Sequence, residues 1–371
     1  MDKDVKNAFS GRIEALDSLR GIAALVVVFS HCYLTWPEEL RWQLNWIRYT
    51  PLRLFINGHA SVIIFFVLSG YVLALPFLRG KQPDYPHYLI KRICRIYIPF
   101  FVSIFLAALL YQIGFGHTGE GTSQWLQGIW PAAPPDFLTF MGHLLMVGTE
   151  KTMSLNTVMW SLVYEMRISI IFPLLMLLCR STKKAVIAGI ILYVVATGLL
   201  LVSGQTDHWL VRTDSFLITW VITARFIPFF MAGILISKHA REIHGYMRKL
   251  SAPKRYALLL IPLLMFPIPH SHYADVLYGV GAVVLVILAV EAAQIRKLLE
   301  AKALVWLGHI SYSLYLLHLP ILILLFRELL GILPYGAVVL VVLAASLTAS
   351  ALMNRFVEMP AMALGRKLAK R

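Results

Sequence analysis

Long apolar runs, separated by short polar or proline-rich stretches, recur along this chain from "SLRGIAALVVVFSHC" (residues 18–32) onward. Each approaches or exceeds the roughly 20 residues a helix needs to cross the hydrocarbon of a bilayer. The pattern predicts an all-α polytopic membrane protein of about ten transmembrane helices. These fall near 19–36, 59–79, 92–113, 156–179, 185–203, 216–237, 256–269, 274–294, 304–327 and 334–353. The seventh, "YALLLIPLLMFPIP", is short and proline-broken. Between the third and fourth, "WPAAPPDFLTFMGHLLMVG" predicts a helix capped by Asp136, too short to span and suited to the interface. With no internal repeat, residues 1–371 read as one membrane domain with no fused soluble domain.

Composition narrows the class. Of 371 residues, 59% are hydrophobic and 14% charged, more apolar sequence than one soluble core absorbs. The net charge of +15 could suggest nucleic acid, but its distribution argues otherwise. Lys and Arg gather in the N-terminal segment and in the loops on that side, and are sparse in the opposite loops. By the positive-inside rule both termini are cytosolic, and no nucleic-acid partner is expected. The opening "MDKDVKNAFSGRIEALDS" is polar and mixed in charge, unlike a cleaved signal peptide. Cys32, Cys94 and Cys179 form neither a disulfide framework nor a metal-ligand pattern. His270, His272 and Asp275 in "PIPHSHYAD" read as a solvated outer loop, and no metal is expected.

Polar groups inside the apolar runs carry the candidate chemistry. Arg20 and His31 are eleven residues apart, three turns plus about 20°, so they share one helix face roughly 16 Å apart. Arg20 would sit at the cytosolic mouth, with His31 deep in the bilayer, where ionisable groups suggest function. A histidine merely packed and bonded to a backbone carbonyl is the alternative. In "NTVMWSLVYEMRISIIFPL", Glu165 lies about 14 Å below the outer edge, and His31 about 18 Å from the inner edge. The depths coincide in a core about 30 Å thick. An unpaired carboxylate there costs on the order of 3 kcal/mol, so Glu165 needs a partner. It could be His31, or Arg167 or Arg225 in a structural ion pair. Ser311, Tyr315 and His318 form a polar stripe on the ninth helix, either a site wall or part of an aromatic belt. Ser69–Gly70 could mark close helix packing or a backbone site.

The chain resembles the acyltransferase-3 family of bacterial inner-membrane acyltransferases, whose first helix carries an R/K-x10-H motif. Besides Arg20-x10-His31, "SVIIFFVLSGYVLA", "YLIKRICRIYIPF", "WSLVYEMRISIIFPL", "RFIPFFMAGIL", "GHISYSLYLLH" and "RFVEMPAM" resemble family segments in the expected order. His309 departs from the pattern, where Arg or Lys is commoner. The resemblance implies transfer of an acyl group, usually acetyl, from cytosolic acyl-CoA to a hydroxyl of an extracytoplasmic or lipid-linked carbohydrate acceptor. On this reading Arg20, Lys91, Arg92 and Arg95 hold the CoA phosphates. His31, oriented by Glu165, is the general base. Tyr315, Ser311, Arg225 or His318 face the oxyanion or acceptor. The partners are then acyl-CoA, the glycan acceptor and membrane lipids. The competing class is a transporter or exporter of a glycan or lipid intermediate, with the same polar groups lining its pathway.

Overall fold

The computed structural model describes residues 13–80, 84–114, 121–130, 133–204, 213–271 and 273–369. The residues preceding Ile13, and His272, lie outside them. Among the described residues eight helices are long and apolar enough to cross a membrane. They are α1 (Glu14–Leu34), α2 (Gly58–Leu78), α3 (Tyr85–Ile113), α8 (Thr182–Val202), α9 (Phe216–Lys238), α13 (Ala274–Glu291), α15 (Lys302–Leu329) and α16 (Tyr335–Met353). The last runs through a π-helical turn, Asn354–Glu358, into α17 (Met359–Leu368). Shorter elements connect them: α4 (Gln124–Ile129), α5 (Phe137–Leu144), α6 (Trp160–Ile170), α7 (Phe172–Leu178), α10 (Ala240–Lys249), α11 (Ala252–Ala257), α12 (Leu260–Met265) and α14 (Ala293–Leu299).

Two predicted spans are broken. Residues 157–170 and 172–178 form a pair bent by 62°. Pro173 causes the bend, because it lacks an N–H and its ring crowds the carbonyl four residues back. That carbonyl, of Ser169, accepts instead from the Tyr88 hydroxyl at 2.9 Å, and the Tyr85 hydroxyl takes the Ile170 carbonyl at 2.9 Å. The predicted span 256–269 resolves into α11 and α12, six residues each, with Pro262 inside the second. Neither is long enough to cross alone. The stretch nevertheless packs along α13: Leu258 and Leu259 lie against the cluster of Met247, Leu288 and Ala292, and the Ile268 carbonyl accepts from the Tyr278 hydroxyl at 2.7 Å.

Closest packing occurs where glycines face each other. Gly21 of α1 and Gly308 of α15 meet backbone to backbone, and a Cβ on Gly21 would stand 2.6 Å from the Gly308 nitrogen. Gly70 of α2 and Gly233 of α9 do the same against the carbonyls of Phe230 and Val67. The "LSG" segment is therefore a helix-packing device of the small-residue kind. These contacts clamp α1 to α15 and α2 to α9, and they fix which polar side chains can meet. Helix α5 forms as expected. The Asp136 carboxylate accepts from the Thr139 N–H at 2.7 Å, and Phe137 and Leu138 are exposed.

Candidate active site

Helices α1 and α15 bring His31 and His318 together, with His318 Nε2 3.1 Å from His31 Nδ1. The His318 Nδ1 lies 2.9 Å from the Leu314 carbonyl, which can only accept, so Nδ1 carries the proton and Nε2 is an acceptor. His31 Nδ1 lies 2.9 Å from the Val27 carbonyl by the same logic and donates to both neighbours. This bonding leaves the His31 Nε2 lone pair as the basic nitrogen of the pair. His318 is fully buried and His31 partly exposed, with Trp125 of α4 stacked on it at 5.7 Å. Segment 121–130 covers this end of α1, where the Ser123 N–H and hydroxyl bond the carbonyls of Thr35 and Leu34.

A cavity of about 590 Å³ opens at the other end, lined by Arg20, Arg95, Arg366, Glu165, Ser161 and Tyr315 among others. Ile13 and Arg366 both line it, so the first and last described helices meet at one mouth. Its wall contains four arginines (Arg20, Arg92, Arg95, Arg366) and three carboxylates (Asp17, Glu165, Glu358). Arg20 pairs with Asp17 at 2.9 Å and Arg92 with Glu165 at 2.9 Å. The Glu358 carboxylate accepts from Ser313 at 2.8 Å and Asn354 at 2.9 Å. Arg95 and Arg366 are exposed, and no carboxylate of the described residues lies in ion-pair range of either. Inward, the cavity stops at Tyr315 and Ser161, one turn of α15 short of His318. The Tyr315 hydroxyl donates to the Val158 carbonyl at 3.0 Å and accepts from Ser161 at 2.7 Å, with Phe65 edge-on at 5.7 Å. His31 is not part of the cavity wall; Tyr315, which is, has its ring 6.0 Å from that of His318.

Several of these residues meet partners other than those the sequence suggests. Glu165 is engaged by Arg92 and by the Ser69 hydroxyl at 3.2 Å, while the His31 ring is held by His318 and Val27. Arg92 is buried, lines the cavity and bonds Ser169 at 2.8 Å in addition to Glu165. Lys91 is exposed and outside the cavity wall. Arg225 pairs with Asp275 at 2.8 Å. Ser311 lines the cavity but donates to the Gly308 carbonyl at 2.8 Å. Arg167 pairs with no carboxylate in the described residues; it bonds Thr219, Thr223 and the Val147 carbonyl and lies 4.4 Å over the Trp220 ring. Asp275, expected in a solvated loop, is fully buried on α13. Its Oδ1 is 2.7 Å from His59 Nε2 and 3.7 Å from His270 Nδ1.

Sequence reasoning had placed His318 only as an acceptor candidate, and missed Arg366, Glu358 and Asn354 as wall residues. The family-like "RFVEMPAM" segment was the available signal, since it contains Glu358 and lies beside Asn354.

Comparison with known proteins gives a coherent result. A family model described as an acyltransferase domain matches residues 13–355. The chain is 24% identical over 379 residues to the acyltransferase MdmB of Streptomyces mycarofaciens, covering 96% of this chain and 93% of that protein. It is 30% identical over 116 residues to the O-acetyltransferase PaAT-1 of Phomopsis amygdali, where the match spans 27% of this chain and 23% of that protein. No solved structure matches the chain.

Proposed function

We propose, from the premise that this chain belongs to the acyltransferase-3 family, that it moves an acetyl group from cytosolic acetyl-CoA to a hydroxyl of an extracytoplasmic or lipid-linked carbohydrate, in a bacterial inner membrane. The observation that carries this reading is the histidine pair. Its hydrogen bonds leave one imidazole nitrogen unprotonated, and the ring of His318 lies 6.0 Å from that of Tyr315, a wall residue of the cation-lined cavity.

By the charge rule the cavity mouth faces the cytosol, where acyl-CoA is made available. Arg95 and Arg366, with no carboxylate of the described residues in ion-pair range, meet the CoA phosphates, with Arg20 beside them held by Asp17. The pantetheine arm occupies the cavity and carries the thioester toward Ser161 and Tyr315. Swinging the Tyr315 ring off Ser161 joins the cavity to His31. The His31 Nε2 takes the proton of the acceptor hydroxyl as its oxygen attacks the thioester carbonyl. The carbon–sulfur bond then breaks, and the departing CoA thiolate takes that proton from the imidazolium. His318 does not touch the reactants; it accepts from Nδ1 and keeps the base in the correct tautomer.

The test is acetyl-CoA thiol release by the purified full-length protein in the presence of candidate glycans, with the acetyl mass increment sought on the acceptor. Release by the native protein, and none by a monodisperse His31→Ala variant, is the expected result. A transporter would release no thiol. Normal release by His31→Ala would overturn the assignment of the base.

A further inference from the structure

Away from the cavity, at the bundle end that carries His31, three donor atoms converge from separate chain segments. They are Nε2 of His59, the second residue of α2, Nδ1 of His270 in the connection before α13, and Oδ1 of Asp275, the second residue of α13. All lie within 4.8 Å of one another. We propose that they form a binding site for a zinc-like transition-metal dication.

The donor set suits such an ion, since imidazole and carboxylate together favour zinc, nickel and copper over calcium or magnesium. Distances agree as well. Two donors on a tetrahedral zinc, each about 2.0–2.1 Å from the metal, stand roughly 3.3 Å apart. The carboxylate oxygen lies 2.7 Å from one imidazole nitrogen and 3.7 Å from the other, bracketing that value. The surroundings are dry, with side-chain exposures of 9% for His59, 12% for His270 and 0% for Asp275. Arg225 supports the cluster from behind, pairing at 2.8 Å with Oδ2, the oxygen not aimed at the imidazoles. Outer-shell bonds of this kind orient ligating carboxylates.

A metal-free ion network is the competing account. It explains Arg225 with Asp275, a pair already balanced in charge. It does not require two imidazole rings, 4.1 Å apart, on the carboxylate's second oxygen. A dication on three protein donors does.

The experiment uses full-length protein purified without a polyhistidine tag, stripped with chelator, equilibrated with zinc and desalted. Elemental analysis is expected to find about one zinc per chain. Cobalt in its place should give the visible absorption of a tetrahedral site. His270→Gln, in a connecting segment, is expected to keep native helicity and elution while retaining less than about a tenth of the zinc. Arg225→Gln is expected to weaken affinity by about 10–100-fold. Zinc no higher in the native protein than in folded His270→Gln, or equal retention in both, would overturn the site. If Asp275→Asn fails to fold, the His270→Gln comparison decides alone.

Discussion

His31 and His318 are 287 residues apart in sequence and 3.1 Å apart in space, and the second fixes the proton of the first. A general base contributes about 10²–10⁴-fold to a rate, so His31→Ala is expected to lower kcat by that amount without loss of folded protein. His318→Ala should lower kcat less and move the pH profile, because Nδ1 of His31 loses its imidazole acceptor. His318→Gln should restore much of the rate, since its carbonyl oxygen can take the same N–H. Full activity and an unchanged pH profile in His318→Ala would show the contact to be packing only.

Glu165 provides the contrasting case. It faces Arg92 between α6 and α3, both on the cavity wall, with side-chain exposures of 19% and 9%. Breaking one side of such a pair leaves a buried charge uncompensated, at a cost of about 3–5 kcal/mol. Glu165→Gln is therefore expected to destabilise the protein strongly in a detergent thermal melt, while Glu165→Gln combined with Arg92→Met recovers much of the loss. If the double variant is no more stable than the single, the charge pairing is not what Glu165 provides.

How much of this was legible in the sequence follows from which relationships are local. Arg20 and His31 share a face of α1 because 3.6-residue periodicity acts within one helix. The cap at Asp136 and the helix it starts were equally local. The bundle itself followed from apolar run length, except where prolines intervene. Pro173 bends one predicted span, and Pro262 lies where the 256–269 segment divides. Partners were not legible. Matching depth made His31 a reasonable neighbour for Glu165, but depth does not say which helices touch. The glycine clamps of α1 on α15 and α2 on α9 decide that, and they hand His31 to His318. Arg92 and Arg95 look equivalent in "RICR", yet a rotation of about 60° between them buries one and exposes the other. The convergence of His59 with Asp275, 216 residues away, has no sequence signal at all.

His143 predicts a pH effect on stability. It sits in the connecting helix α5, fully buried, with Nδ1 2.8 Å from the Thr139 carbonyl and Nε2 accepting the Leu155 N–H at 3.1 Å. The bond from the Leu155 N–H needs the neutral ring, and burial lowers the ring's pKa below the usual 6.5, outweighing the Thr139 bond that the charged ring could also make. The unfolded chain therefore binds the proton first, and stability is lost as pH falls below about 6.5. His143→Gln keeps an acceptor for Leu155 but cannot titrate. Its melting temperature should decline less than the native protein's between pH 7 and pH 5, within the usual histidine range. Parallel declines would assign the pH sensitivity elsewhere.

Arg20 lies beside the Asp17 carboxylate at 2.9 Å, whereas Arg95 and Arg366 stand on the wall with no carboxylate of the described residues in ion-pair range. A bond from a cation to phosphate is worth about 1.5–3 kcal/mol, so removing either should raise the KM for acetyl-CoA by about tenfold or more. Because neither reaches the reacting atoms, kcat should change little. Asp17→Asn, which removes the charge 2.9 Å from Arg20, should instead lower that KM. Added salt should raise the native KM more than that of the Arg95→Ala, Arg366→Ala double variant, which has fewer charges to screen. Equal KM values in native and double-variant protein would place the CoA phosphates elsewhere, even if His31 remained the base.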